Sequence, residues 1–276
     1  KEIKKLGDTY KDGYITIDEQ GKLTDELTIA IASAETLAEV EDLYRPFKQK
    51  KKTRATVAKA KGLEPLADII IAQEEKKDIN EIAQEFVNID NLSDEDKNNK
   101  DKVVATAEDA IQGALDIIAE NISDNAKYRK YIKKICYREG TIVTKSAKPD
   151  EKSNYEMYYE FAELVHKLPS HRILAINRAE KENAIKLKIQ KPEENIIDFI
   201  ERDVIKDKNS NYANILEDTV EDSFKRLIEP SVEREIRSDL TEKAEEKAIK
   251  VFGQNAKQLL MGAPLKGLTV MGFDPA

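Results

Sequence analysis

Residues 53–70 read TRATVAKAKGLEPLADII, and the placing of glycine in this stretch governs the expected fold. A helix-turn-helix corner needs a small residue where its first helix crosses the second and a residue that tolerates positive φ in the short turn. Ala58 and Gly62, four apart, meet those two needs. Val57 and Leu63 are apolar where the corner must be sealed, and Pro65 suits the first turn of the next helix, where an N–H would have no partner anyway. The same spacing fits an ordinary helical hairpin with a glycine cap. Either way, two short helices joined by a tight turn are expected.

Immediately before this corner the charge pattern changes. From Arg45 to Lys61 there are eight Lys and Arg and no Asp or Glu, in a chain with 46 basic and 54 acidic residues and a net charge of -8. A whole-protein field of that sign repels nucleic acid and acidic membranes, so any contact with a polyanion has to be local. The candidate contact is the acid-free segment, with Arg45, Lys48, Lys50, Lys51, Lys52, Arg54 and Lys59 as its cations. Tyr44 and Phe47 set aromatic rings among them, a combination that grips single strands by stacking plus phosphate attraction. The competing reading is that the rings anchor the loop in the core while the lysines stay in water. The helix after Gly62 carries Glu64, Asp68, Glu74 and Glu75 before its first base, Lys76, so base reading in a major groove is not expected of it.

Elsewhere, ten glycines and eight prolines in 276 residues leave long stretches with apolar residues at the helical period. In 101–122 the set Val103, Val104, Ala107, Ala110, Ile111, Ala114, Leu115, Ile118 and Ile122 makes one stripe. Small Ala107, Ala110, Gly113 and Ala114 along it would let a second helix approach closely. Tyr128, Tyr131, Ile132 and Ile135 continue the pattern. After Pro230 a third long helix is expected, about 45 Å if straight, with Val232, Ile236, Leu240, Ala244, Ala248, Phe252, Ala256 and Leu259 in one register and an end near Gly262. Two stretches read as strands: AIKLKIQ (184–190), with one wet face, and GLTVMGFDPA (267–276), with both faces buried. A lone buried strand leaves its backbone groups unpaired, so a further domain is expected to begin there. NLSDEDKNNKD (91–101) and KSAKPDEKSN (145–154) read as solvated loops. The fold class is therefore mainly α: multi-helical, with a helix-turn-helix-like unit, a long central helix and one or two short strands.

Chemistry-bearing residues are sparse. Cys136 is the one cysteine and reads as a buried thiol on a helix face, which fits a reducing, cytoplasmic setting. His166 and His171 lack cysteine partners for zinc, and Ser170 before His171 is expected to cap a helix. Glu217-Asp218 and Glu221-Asp222 read as a solvated helix face. No GxGxxG or P-loop pattern is present, no apolar run reaches the roughly 18 residues of a membrane span, and KEIKKLGDTYKDGY at the start has no apolar core of a signal peptide.

Several long stretches also resemble one family in the same order. EDLYRPFKQKKKTRATVAKAKGLEPLAD (41–68), AEDAIQGALDIIAENI (107–122), PSHRILAINRAEKENAIKLKI (169–189), EDSFKRLIEPSVEREIR (221–237) and EKAIKVFGQNAKQLLMGAPLKGLTVMGFDPA (246–276) look like the Tex family of bacterial transcription accessory proteins, which is related to a eukaryotic transcription elongation factor. The resemblance runs from about Gly21 to Ala276; the first 20 residues match poorly. It implies a multidomain nucleic-acid-binding protein with a helix-turn-helix-like unit, a central helical scaffold, an RNase H-like domain, helix-hairpin-helix repeats and a terminal OB-fold RNA-binding domain, of which only the first two are whole here. Asp274 would stand at the place of a metal-binding acid on the first strand of the RNase H-like domain, but Ala276 departs from the Gly expected there. A single carboxylate cannot hold two metals.

The expectations are then a poorly matched segment at 1–23, a helix-turn-helix-like unit at 24–95, a helical scaffold at 96–266 and the first strand of a further domain at 267–276. The expected function is a non-enzymatic nucleic-acid (RNA)-binding transcription accessory, without cofactor or metal, whose partners are single-stranded RNA or DNA and RNA polymerase or other transcription proteins, with no membrane. The alternative is a protein-docking module of the transcription machinery that does not touch nucleic acid.

Overall fold

In a computed structural model the described residues are 21–34, 37–48, 52–74, 77–88, 101–149, 153–262, 267 and 269–274. The fold is mainly α, with one small three-stranded sheet. By contact it divides into two units, each discontinuous in sequence: one draws on residues up to Gly140 and on Gln190–Arg234, the other on Thr141–Ile189 and the chain from Glu235.

The first unit begins with helices α1 (Asp25–Ser33) and α2 (Leu37–Tyr44), followed by a 3-10 turn at Arg45–Phe47. Helix α3 (Arg54–Ala60) starts at a capping box. The Thr53 hydroxyl accepts from the Thr56 N–H at 3.1 Å, and the Thr56 hydroxyl accepts from the Thr53 N–H at 2.8 Å, so two N–H groups that the helix cannot pair internally are satisfied. At its other end Gly62 takes φ +78. The Gly62 N–H reaches the Lys59 carbonyl at 2.9 Å and the Leu63 N–H reaches Ala58 at 3.2 Å, the paired bonds of a Schellman cap. Helix α4 (Glu64–Ala72) follows at once, with Pro65 in its first turn. The expected corner is present, and the glycine does what its place in the sequence requires.

Helix α5 (Ile79–Gln84) leads to α6 (Ala107–Asp124), whose first turn is capped by Thr106 accepting from the Asp109 N–H at 3.2 Å. Ala110, Ala114, Ile117, Ile118 and Ile122 are buried along one face of α6. Gly113 on that helix meets Leu63 and Ala58, so the small-residue stripe does admit another helix, α3 with its corner. Asn125 ends α6 and also caps α7 (Ala126–Glu139), accepting from the Lys127 N–H at 2.9 Å. On α7, Arg129 is fully buried. Its guanidinium donates to Asp42 at 2.8 Å, and Lys133 reaches the other oxygen of the same carboxylate at 2.8 Å, tying α2 to α7.

In the second unit β1 (Thr141–Ser146) and β2 (Glu160–Leu164) pair antiparallel, from Thr141 opposite Leu164 to Lys145 opposite Glu160. Helix α8 (Ser170–Lys181) precedes β3 (Ile185–Gln190), and the strand order is β2-β1-β3. The expected wet-faced strand is β3; β1 covers residues read partly as a polar loop. The residue before α8 at its cap is Pro169, without a side-chain capping bond. This corrects the expected cap at Ser170: Pro169 is the last extended residue and Ser170 already has helical backbone, so its hydroxyl is not placed to cap the helix.

The first unit is completed by α9 (Glu193–Val204) and α10 (Ala213–Asp222). Helix α10 continues through a π turn at Ser223–Ile228 into α11 (Glu229–Leu260), so the helical rod is longer than its third expected helix. The Glu229 N–H reaches back to Phe224. Pro230 has no N–H and its ring crowds the carbonyl four residues back; a locally widened turn just before it accommodates both effects. The expected single apolar register of α11 divides. Val232, Ile236, Leu240 and Ala244 are buried, whereas Phe252 is 74% and Leu259 83% exposed. Periodicity records that a face is apolar, not that a neighbour covers it. Residues 269–274, expected as part of a strand, have no strand ladder among the described residues, and Val270, Met271 and Phe273 are exposed.

Candidate nucleic-acid interface

The cations of the acid-free segment take different roles. Arg45, in the 3-10 turn, turns inward: its guanidinium donates to the Ser231 hydroxyl at 3.3 and 3.2 Å. Tyr44 and Phe47 are half-buried beside it, consistent with anchoring rings. Lys48 and Arg54 are exposed. Lys52 is exposed and ion-paired to Asp101, and Lys59 pairs with Glu64 at 3.3 Å. Lys50 and Lys51 lie outside the described residues.

Lys48 and Lys59 come together on one open cleft of about 520 Å3, whose other lining residues include Glu120, Asn121 and Asp124 at the end of α6. Arg54 lies close enough to Asp116 for its charge to favour the ionised carboxylate; burial acts more strongly on Asp116 in the opposite sense, so its pKa is raised despite Arg226 and Arg54. The rim is therefore of mixed sign: Lys48 and Lys59 share the cleft with Glu120 and Asp124, Lys59 also meets Glu64, and Lys52 meets Asp101. Exposed pairs of this kind contribute at most about 1 kcal/mol and are screened by salt, so a phosphate can exchange for a carboxylate at Lys52 or Lys59 at small cost. Sequence reading found the cations but not these carboxylates, because Glu120, Asp124 and Asp101 are brought in from far along the chain and no local pattern marks them.

A model of the Tex central region-like family matches residues 74–252. The chain belongs to the Tex family. It is 48% identical over 263 residues to the uncharacterized protein YdcI of Bacillus subtilis strain 168, covering 94% of this chain and 35% of that protein. It is 34% identical over 267 residues to the transcriptional accessory protein Tex of Neisseria gonorrhoeae, covering 94% and 33%. It is 28% identical over 279 residues to human S1 RNA-binding domain-containing protein 1, covering 94% and 26%. The chain thus spans about a third of the length of the first of these relatives.

The remaining reactive groups of this Tex-family chain are one cysteine, two histidines and the acidic pairs of α10. Cys136 is buried, and burial pushes its thiol up to about 11, so the reactive thiolate is scarce near neutral pH. His166 and His171 are exposed, in a 3-10 turn and the first turn of α8. Among the described residues no group of three or more His, Cys, Asp or Glu is arranged to hold a metal, and no helix is long and apolar enough to cross a membrane. Glu217, Asp218, Glu221 and Asp222 are exposed; Asp222 is bound by Arg226 one turn on, and Glu221 by Lys225.

Proposed function

We propose that this chain is the helical scaffold of a non-enzymatic, RNA-binding accessory to transcription, and that the rim around Lys48, Lys52, Arg54 and Lys59 is an auxiliary contact for the phosphate backbone of single-stranded RNA. The observation that carries the reading is membership of the Tex family together with relatives named as a transcriptional accessory protein and an S1 RNA-binding domain-containing protein. Lys48 and Lys59 on an open cleft, with Lys52 and Arg54 exposed between them in sequence, support the auxiliary contact, since an acidic chain can meet a polyanion only where local cations outweigh the global field.

The test is fluorescence anisotropy with a labelled single-stranded RNA at two salt concentrations. Each phosphate contact contributes about 0.7 to the slope of log affinity against log salt for a single strand. Changing Lys50, Lys51, Lys52 and Arg54 together to Glu should weaken binding about tenfold or more and flatten the slope, with an unchanged helical circular-dichroism spectrum. Full affinity in that folded variant sinks the auxiliary contact.

A second reading, a docking module for a transcription protein, draws on the exposed apolar residues of α11, Ile249, Phe252, Leu259 and Leu260. It predicts no measurable RNA affinity for the 276-residue chain at either salt concentration.

A further inference from the structure

We infer that the outer face of the β2-β1-β3 sheet is a second contact for the backbone of single-stranded RNA, separate from the rim before α3. The inference rests on the RNA-binding reading above. Strand residues alternate between faces, and burial identifies which face is which. Ile142, Thr144, Ile185 and Ile189 are buried, so Lys145 on β1 and Lys186 and Lys188 on β3 lie on the opposite, solvated face, where all three are exposed. The Ala147 N–H donates to the Ala184 carbonyl at 2.9 Å, which closes the end of β1 that carries Lys145 against the start of β3 that carries Lys186. Lys186 and Lys188 are two strand residues apart, roughly 6.6 Å.

Like charges gathered on neighbouring strands oppose folding, and little local charge offsets them. Glu160 stands opposite Lys145 in the ladder, yet among the described residues none of the three ammonium groups is held in an ion pair. This contrasts with the rim, where Lys52 and Lys59 are paired. In a chain of net charge -8, unpaired cations sharing one face are complementary to a polyanion. Between them the outer face presents Val143 opposite Ala162, and none of the outward strand residues is aromatic; Phe161 falls on the other face, opposite Thr144. With no ring to stack on a base, the contact grips phosphates and is indifferent to sequence. Lysines on an edge strand also discourage edge-to-edge pairing. Glutamate would serve that purpose equally well, so charge reversal separates the two roles.

The variant K145E/K186E/K188E in the 276-residue chain is compared with wild type and with K48E/R54E/K59E by anisotropy on single-stranded oligo(U) and oligo(A). The expected result is about a tenfold loss on both RNAs and a salt slope lower by about 2, at about 0.7 per phosphate lost. The neutral K145Q/K186Q/K188Q variant should shift the same way by less. If wild type binds and the rim variant loses affinity while the folded sheet variants bind normally, the sheet contact is wrong and the rim reading stands. If wild type binds no RNA, both fall. If poly-L-glutamate displaces RNA as readily as unlabelled RNA does, the face takes an acidic protein and the RNA assignment is overturned.

Discussion

Gly113 of α6 lies directly against Leu63, the residue that closes the α3–α4 corner: a Cβ at Gly113 would overlap Leu63 Cδ1 and stand 3.3 Å from Ala58 Cβ. Leu63 is fully buried, so its Cδ1 can move only against close-packed neighbours. Gly113→Ala gains about 1 kcal/mol of helix propensity and meets an overpacking cost of about 1–3 kcal/mol, so net destabilisation of about 1 kcal/mol is expected in urea unfolding. Leu63→Ala should cost less in the Gly113→Ala background than alone, as required of two residues sharing one space.

Gly62 has open space where a Cβ would go, so only its backbone matters there. Gly62→Ala should cost about 1 kcal/mol through its positive φ, and Gly62→Asn less, since Asn tolerates that region better. Equal stability of the Ala variant and wild type would show that the corner relaxes to negative φ.

Asp42 is shared by Arg129 and Lys133, each at 2.8 Å, with Arg129 fully buried. Asp42→Ala removes the common acceptor and should destabilise by about 3 kcal/mol. The double variant D42A/R129M should recover part of that loss, because an apolar side chain no longer needs the carboxylate. A double variant as unstable as D42A would argue that the loss comes from packing on α2.

On α11 the same helical register has two fates. Ile236 is 1% and Phe252 74% exposed. Ile236→Ala should lower stability by about 2–4 kcal/mol, while Phe252→Ser should change it by less than about 0.5 kcal/mol. A large effect at Phe252 in the isolated chain would show that its ring is covered in solution.

The Cys136 thiol, raised from an ordinary 9.0 to about 11 chiefly by burial, gives a signed pH dependence. Below pH 9 it is neutral both folded and unfolded and contributes no pH dependence. Between about 9 and 11 the unfolded chain loses the proton first, so stability falls as pH rises. Two pKa units correspond to at most about 3 kcal/mol. Cys136→Ala should lack this component, and native Cys136 should react with a thiol reagent at pH 8 far more slowly than the unfolded chain.

Several features were legible because they are local. The corner at Gly62 follows from one residue's freedom at positive φ, and the first half of α11 and the α6 stripe from Ala110 to Ile122 follow from a 3.6-residue period, although Val103 and Val104 precede that helix and the buried Ile117 was not in the expected set. Cys136 was legible as a buried thiol from the apolar face around it. Strands β1 and β2 were not, since TIVTKS and EFAEL are too short and mixed to stand out from loop, and they exist through their mutual ladder. The cap of α8 lies at Pro169 because Ser170 already has helical backbone, and a side chain caps a helix only from a residue that is still extended.

The sequence alone determined that this protein is mainly helical, where its tight corner falls and which segment is rich in cations, because each depends on contacts within a turn or two. Only the tertiary structure decided that Arg45 turns inward to Ser231, that Lys52 and Lys59 meet carboxylates, and that Lys145, Lys186 and Lys188 share an open sheet face. Charges act through space with a reach of about 10 Å, and which charges lie within that reach is set by the packing of distant segments.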